Sequence, residues 1–288
     1  MTVRIVTDSA CDLPAHTVTE HRITVVPLTI RFGDKDFVDR EQLTPAEFWA
    51  RCSAATELPA TAAPSVGAFQ QAYERLAAEG ATGIVVASLS SALSATMQSA
   101  ALAAEAVAGT IRVEVVDSRS VSLGLGMMAL DAAQAAAAGK SVDEVADLVR
   151  NLVPRTHIWA AFDTLENLKK GGRIGGAKAF LASALAIKPI IVCRDGVVEE
   201  GGKQRTRAKA LAFLVDKVRE HRNVVRVAVA HADCSDVDAF VEMLKPHAPG
   251  DILIGDIGAV IGTHAGRGTM AVIFQTAVSS GKRPRPRA

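Results

Sequence analysis

Four serines, Ser88, Ser90, Ser91 and Ser94, crowd into the turn between an apolar run, Gly83–Ala87, and an alanine-rich stretch of helical pattern. A strand, a hydroxyl-lined turn and a helix start leave unsatisfied N–H groups and a positive dipole end pointing at one place, which suits an anion. One serine suffices for a helix cap; four suggest hydroxyls with a further duty. Thr61 lies in a segment broken by Pro59 and Pro64, and His264 sits between Gly262 and Gly266. Flanking glycines let a backbone approach a ligand closely. Arg173, in the run Lys170-Gly171-Gly172-Arg173-Ile174-Gly175-Gly176, reads as a phosphate or partner contact, or as a solvated loop charge. The same residues admit covalent chemistry, with Ser94 as the nucleophile of a serine hydrolase and His264 as its base. A nucleophile elbow needs glycines two residues to either side, whereas Ala92 and Thr96 flank Ser94.

Other motifs dissolve on inspection. Gly124-Leu125-Gly126-Met127-Met128-Ala129 matches a dinucleotide fingerprint but lies well past the end of the strand that closes at Asp117, inside a helical pattern. Close helix packing explains its glycines. Gly139-Lys140-Ser141 ends like a P-loop, yet Gln134 stands where the first glycine belongs; a helix stop and a capping box account for it. Cys11, Cys52, Cys193 and Cys234 are far apart without a CxxC pair, as expected of reduced thiols and not of a metal site. A formal net charge of +1 and 4% aromatic residues argue against nucleic acid as a partner. The apolar runs are too short to span a membrane, since Lys178 and Lys188 interrupt the best of them. With no signal-peptide pattern at the start, the expectation is a cytoplasmic protein without metal or cofactor.

The elements that must position these residues alternate between strand and helix. Strands are expected at Val3–Thr7, Thr24–Ile30, Phe37–Val38, Gly83–Ala87, Val113–Val116 and Ile158–Phe162. A hairpin joins Pro189–Cys193 to Val197–Glu200, followed by a strand at Val225–Ala230 and a last strand pair at Ile252–Ile254 and Met270–Phe274. Helices are expected after Pro14, after the Thr44–Glu47 capping box, over Phe69–Leu76, over Val121–Ala138, after the Ser141–Glu144 capping box, and over Lys178–Ala186, Ala208–His221 and Val237–Leu244. Residues 57–65 read as irregular and Gly262–Gly268 as a flexible loop. The fold class is α/β, with a mostly parallel sheet flanked by helices in the first half and a mixed sheet in the second. In parallel sheets ligands lie beyond the carboxyl ends of the strands, where Asp8-Ser9 and the serine turn fall.

The order of motifs resembles the DegV family of bacterial fatty-acid-binding proteins along nearly the whole chain. The resemblance rests on Val6-Thr7-Asp8-Ser9 with Asp12-Leu13-Pro14, on Thr61-x-x-Pro64-Ser65, and on Ser90-Ser91-x-Leu93-Ser94-x-Thr96-x-Gln98-Ser99-Ala100. It continues in Val116-Asp117-Ser118, Leu168-x-Lys170-Gly171-Gly172-Arg173-Ile174, Ile187-Lys188-Pro189-Ile190, Arg205-Thr206-Arg207 and Gly262-Thr263-His264-x-Gly266. It implies two α/β domains, 1–154 with carboxylate-binding loops and 155–281 completing an acyl-chain pocket; the basic residues of 282–288 read by themselves as a disordered tail. It further implies that Thr61, Ser94 and His264 hold the carboxylate of a long-chain fatty acid. Arg173 and Arg205 would engage the catalytic subunit of a fatty acid kinase, which phosphorylates the bound acid to an acyl phosphate. The chain would then be a substrate-presenting subunit and not itself an enzyme, touching membranes only transiently. A carrier of another anionic lipid shares every one of these features.

Departures from the family pattern fall at Ala62, Ala95, Met97 and Arg267. Ala62 is expected to remove a hydroxyl near the headgroup, Ala95 to restrict the backbone beside Ser94, and Arg267 to add a cation near His264. Met97, Leu102, Leu125, Met127, Met128, Leu181 and Leu185, on the helices, are the candidate walls of the acyl slot.

Overall fold

The computed structural model describes residues 2–178 and 187–278. A four-stranded parallel sheet is built from the first half in the order β2-β1-β6-β7: β1 is Val3–Asp8, β2 Thr24–Val26, β6 Gly83–Ser88 and β7 Val113–Asp117. Its central strands are buried along nearly their whole length, β6 at every residue and β1 at all but Arg4, because both faces are covered. One face packs on α3 (Val66–Ala78) and α4 (Thr96–Ala106), through Phe69, Tyr73, Leu76 and Ala100 against Val6, Ile84 and Val86. The other face packs on α5 (Leu123–Ala137) and α6 (Val142–Leu152), the latter started by the expected Ser141–Glu144 capping box.

The second half supplies a six-stranded mixed sheet, ordered β10-β9-β8-β13-β11-β12. Here β8 is Thr156–Ala161, β9 Lys188–Arg194, β10 Val197–Gln204, β11 Val224–His231, β12 Leu253–Asp256 and β13 Met270–Thr276. Helices α8 (Arg207–Arg219) and α9 (Val237–Leu244) cover its outer face. The β9–β10 hairpin turns at Asp195 (φ 50°) and Gly196 (φ 82°), two consecutive left-handed residues as a tight antiparallel turn requires. Pro154 lies in a short 3₁₀ turn, Val153–Arg155, where the chain passes from α6 to β8.

Helix α5 lies between the two sheets, and 11 of its 15 residues are buried. A helix apolar all round belongs in such a place. Its glycines serve close approach: a Cβ on Gly124 would fall 2.7 Å from Ile158 Cδ1, and one on Gly126 would fall 2.5 Å from the Cys11 carbonyl oxygen. The dinucleotide-like motif is therefore a packing motif.

Four expectations differ from the structure. The run Thr24–Ile30 is two strands, because Pro27 offers no N–H to a ladder; β2 stays in the parallel sheet while β3 (Thr29–Phe32) leaves it. There β3 pairs antiparallel with β4 (Lys35–Val38) and with β5 (Ala60–Ala62), so the segment 57–65 contains a short strand between its two prolines. The strands β12 and β13 do not pair with each other: each pairs with β11, the first parallel and the second antiparallel. Gly262–Gly266 is not a loop but most of α10 (Ala259–Ala265) with its stop, preceded in this half by the short α7 (Glu166–Lys170). The expected helix from Lys178 to Ala186 falls, apart from Lys178, outside the described residues, as does the basic tail 282–288.

Candidate functional site

Between the two halves lies a cavity of about 240 Å³. The inner face of the six-stranded sheet forms its floor, and the strand register explains which residues face it. Ala160 of β8 stands opposite Ala271 of β13 and Ile191 of β9, and two residues along, Ile158 stands opposite Ile273 and Cys193. Alternation sends the neighbours Trp159, Val192 and Val272 to the other face. Opposite the floor, α10 contributes Val260, Ile261, His264 and Ala265, and the first half contributes Leu28, Leu89, Leu93 and Val121.

The walls are thus strand residues, not the expected helix residues. Leu125, Met127 and Met128 are wholly buried in the core around α5, Met97 does not reach the cavity, and Leu102 is 46% exposed on α4. Leu181 and Leu185 lie outside the described residues.

The polar residues of the cavity gather around α10. Thr61 Oγ1 is 3.0 Å from His264 Nε2, across a sequence separation of 203 residues. β5 delivers Thr61 by pairing with β3, Thr61 opposite Ile30, and the pleat turns Thr61 inward while Ala62 is exposed. Ala62 therefore takes no hydroxyl from this site. Gly262 is glycine because a Cβ would lie 2.8 Å from the rings of both Phe48 and Trp49, on α2 (Pro45–Ala54). Gly266, at φ 80°, ends the helix. The glycines beside His264 seat and stop a helix, and do not loosen a loop.

Burial, with the Arg173 cation adding to it, pushes the His264 imidazole down to about 4, so the ring is neutral at pH 7. Among the described residues its Nδ1 has no hydrogen-bond partner. Arg173 lines the cavity too, donating from Nε to the Leu93 carbonyl (3.3 Å) and from Nη1 to the Gly171 carbonyl (2.6 Å). This places a guanidinium beside the serine turn and within electrostatic reach of His264. Arg267 does not add a cation here: it pairs with Asp233 and donates to Ser53 Oγ at 3.0 Å. Arg205, between β10 and α8, is exposed and does not line the cavity.

Of the four serines only Ser94 lines the cavity. Ser90 donates to the Gly196 carbonyl (2.7 Å) in the β9–β10 turn, Ser91 donates to Asp117 Oδ2 (2.5 Å), and Ser88 Oγ lies 3.5 Å from Asp8 Oδ2. These three tie strand ends and halves together. Ser94 Oγ shares a 2.8 Å hydrogen bond with Thr96 Oγ1, and Ala95, which also lines the cavity, precedes α4 without a side-chain cap. His264 is engaged with Thr61 and Ser94 with Thr96, so the pair does not form a nucleophile–base couple.

Two further polar groups reach the cavity, Ser122 and Thr269, but their hydroxyls donate into the protein, to Asp12 Oδ2 (2.6 Å) and the Ala265 carbonyl (2.9 Å). An apolar chamber with two hydroxyls, a neutral imidazole and a guanidinium near one another can take an amphipathic anion.

The chain belongs to the DegV family: the family model for uncharacterised proteins of that name matches residues 2–277. A DegV domain-containing protein of Streptomyces coelicolor is 36% identical over 279 residues, covering 95% of this chain and 98% of its own. Among solved structures, a DegV family protein from Thermus thermophilus described by its fatty acid binding superposes with a TM-score of 0.89 at 33% identity, over 96% of this chain and all of its own. DegV of Bacillus subtilis, described as a fatty acid binding protein, gives 0.84 at 28% identity, with 96% of this chain and 100% of its own covered. The α/β fold, with its parallel sheet flanked by helices and its mixed sheet, is that of these relatives. Among the described residues no helix is long and apolar enough to cross a membrane.

Proposed function

We propose that this protein binds a long-chain fatty acid in the cavity between its halves and presents the carboxylate to the catalytic subunit of a fatty acid kinase. The observation that carries the reading is the cavity itself, whose walls are apolar and whose polar lining includes Thr61, Ser94, Arg173 and His264. Fatty acid binding by the Thermus and Bacillus relatives supports it.

The chemistry divides between the ends of the ligand. With its proton on Nε2, neutral His264 donates to Thr61 Oγ1, which leaves the threonine hydrogen for a carboxylate oxygen. Ser94, accepting from Thr96, donates to the same carboxylate, and Arg173 supplies the countercharge. Each charge-assisted hydrogen bond contributes about 1.5–3 kcal/mol. These groups would hold acetate as well as a lipid; selectivity belongs to the chain, at about 0.8 kcal/mol per buried methylene. Arg205, exposed and away from the cavity, is assigned with Arg173 to the kinase partner.

The test is organic extraction and mass spectrometry of the purified protein, which should release a long-chain fatty acid. Ser94→Ala and Thr61→Val should each weaken its retention by about ten- to a hundredfold, the worth of one such bond, without change in the circular dichroism spectrum. Undiminished retention in both variants would remove the carboxylate assignment. Arg205→Ala should keep the lipid and slow acyl phosphate formation when the kinase subunit and ATP are added; normal turnover would remove Arg205 from the docking role.

A further inference from the structure

Asp12 is wholly buried in the first half of the chain, yet two of its three polar partners arrive from far along the sequence: Ser122 in the cavity wall and Gly258 at the start of the helix that carries His264. It sits in the left-handed region (φ 51°) after the 3₁₀ turn Ser9–Cys11 that closes β1. Its Oδ1 accepts from the N–H of Gly258 at 2.9 Å, and Gly258 is the residue from which α10 starts. Its Oδ2 accepts from Ser122, which lines the cavity and leads into α5, with a backbone at φ 52° and ψ −142°. The third partner, Arg40, lies 3.7 Å from Oδ1 and is held by a hydrogen bond from Nη1 to the Leu13 carbonyl (2.9 Å).

The contacts are close enough to transmit displacement. A Cβ on Gly258 would lie 2.9 Å from Asp12 Oδ1, and one on Gly255, at the end of β12, would lie 2.8 Å from the Asp12 carbonyl oxygen. Both positions are glycine where this half meets Asp12. No side chain of its own caps the start of α10, and the helix spans only seven residues, so its start and His264 move as one piece. Left-handed non-glycine residues each cost on the order of 1–3 kcal/mol and persist only where surroundings hold them; Asp12, Arg40 and Ser122 are three such residues in one cluster.

We propose that Asp12 is a positioning residue of the ligand site, its carboxylate fixing the start of α10 and so the place of His264 against Thr61. This rests on the reading of His264 as part of the carboxylate-binding group. Burial pushes the Asp12 carboxyl up to about 7 against the pull of the Arg40 cation. The other titratable groups near it are Asp8 and the thiol of Cys11, which burial pushes up to about 11, on its own segment and Asp39 beside Arg40, while Asp256, before α10, is turned to His231 at 3.5 Å.

The test is a double-mutant cycle at pH 8, where Asp12 is ionised, reading the affinity of a fluorescent fatty-acid analogue displaced by palmitate. Asp12→Asn keeps an acceptor for Gly258 but loses the charge and offers Ser122 a donor; it should weaken binding about tenfold in a folded protein. In the His264→Ala background the same change should cost little, because there is no imidazole left to misplace. Gly258→Ala, which alters no polar side chain and displaces the helix start, should reproduce both results and serves if Asp12→Asn does not fold. Additive losses, or wild-type affinity in both variants, would overturn the positioning role. Wild-type affinity in His264→Ala alone would instead overturn the reading of the site on which it stands.

Discussion

Replacing Ala271 by phenylalanine is expected to give a folded protein that no longer carries an acyl chain. Ala271 and Ala160, opposite each other on β13 and β8, make the lowest part of the cavity floor, with Ile273 and Ile158 two residues along. A ring rising from Ala271 enters a space of about 240 Å³ instead of a packed core, so the overpacking cost of 1–3 kcal/mol typical of such changes is avoided. Displacing three or four methylenes removes about 3 kcal/mol of burial, roughly a hundredfold in affinity. Extraction and mass spectrometry should find the variant empty, and its melting temperature should no longer rise when fatty acid is added. Val272→Phe is the control: Val272 faces the core beneath α8, so the same added ring should lower stability and leave the ligand bound. An Ala271→Phe protein with its full lipid content would mean that the acyl chain lies elsewhere.

What could be read from the sequence depended on how local the cause was. The capping boxes at Thr44 and Ser141, the Asp195-Gly196 hairpin turn and the helix Val237–Leu244 each follow from a few adjacent residues, and all stand where expected. Thr61, Ser94 and His264 line one cavity, and Arg173, which the resemblance assigns with Arg205 to the kinase contact, lines it too, whereas Arg205 stands apart from it. The failures share a tertiary origin. The glycines around His264 suggest a loop, but Gly262 answers to Phe48 and Trp49, more than 200 residues away in sequence. Alanine- and methionine-rich helices suggest the cavity walls, but the period-two runs Ile158-x-Ala160-x-Phe162 and Ala271-x-Ile273 mark the sheet face that forms them. Three of the four serines proved to be ties between strand ends, a role that depends on Asp8, Asp117 and Gly196 arriving from other elements. Nothing in the local sequence distinguishes Asp8 and Asp12 as buried carboxylates either: Asp8 is held by the end of β6, and Asp12 by Ser122 and by Gly258 of the other half.

Asp8→Ala should be among the most destabilising substitutions in the first half, and its neighbour variant Asp8→Asn should report the proton that the buried carboxyl holds. Asp8 ends β1, wholly buried, and accepts from the N–H of Ala10 (3.1 Å) and of Leu89 (2.8 Å), the latter at the end of β6 where the serine turn begins. Alanine leaves both N–H groups buried without partners, at about 1–3 kcal/mol each. Leu89 also lines the cavity, so the turn that carries Ser94 loosens with it and lipid retention should fall in parallel. Burial pushes the Asp8 carboxyl up from 3.8 to about 6, with the two backbone N–H groups offsetting part of the rise. The native chain therefore holds this proton more tightly than the unfolded chain. Its stabilising share is complete below about pH 4 and lost as the pH climbs through about 6, amounting to roughly 3 kcal/mol. Asparagine binds no such proton, so the stability of the wild protein relative to Asp8→Asn should fall by about that amount between pH 4 and 7 and stay level above. Urea unfolding across that range measures the difference, with Asp12 and the histidines common to both proteins. A difference independent of pH would mean that Asp8 remains ionised throughout, and that the N–H groups of Ala10 and Leu89 outweigh its burial.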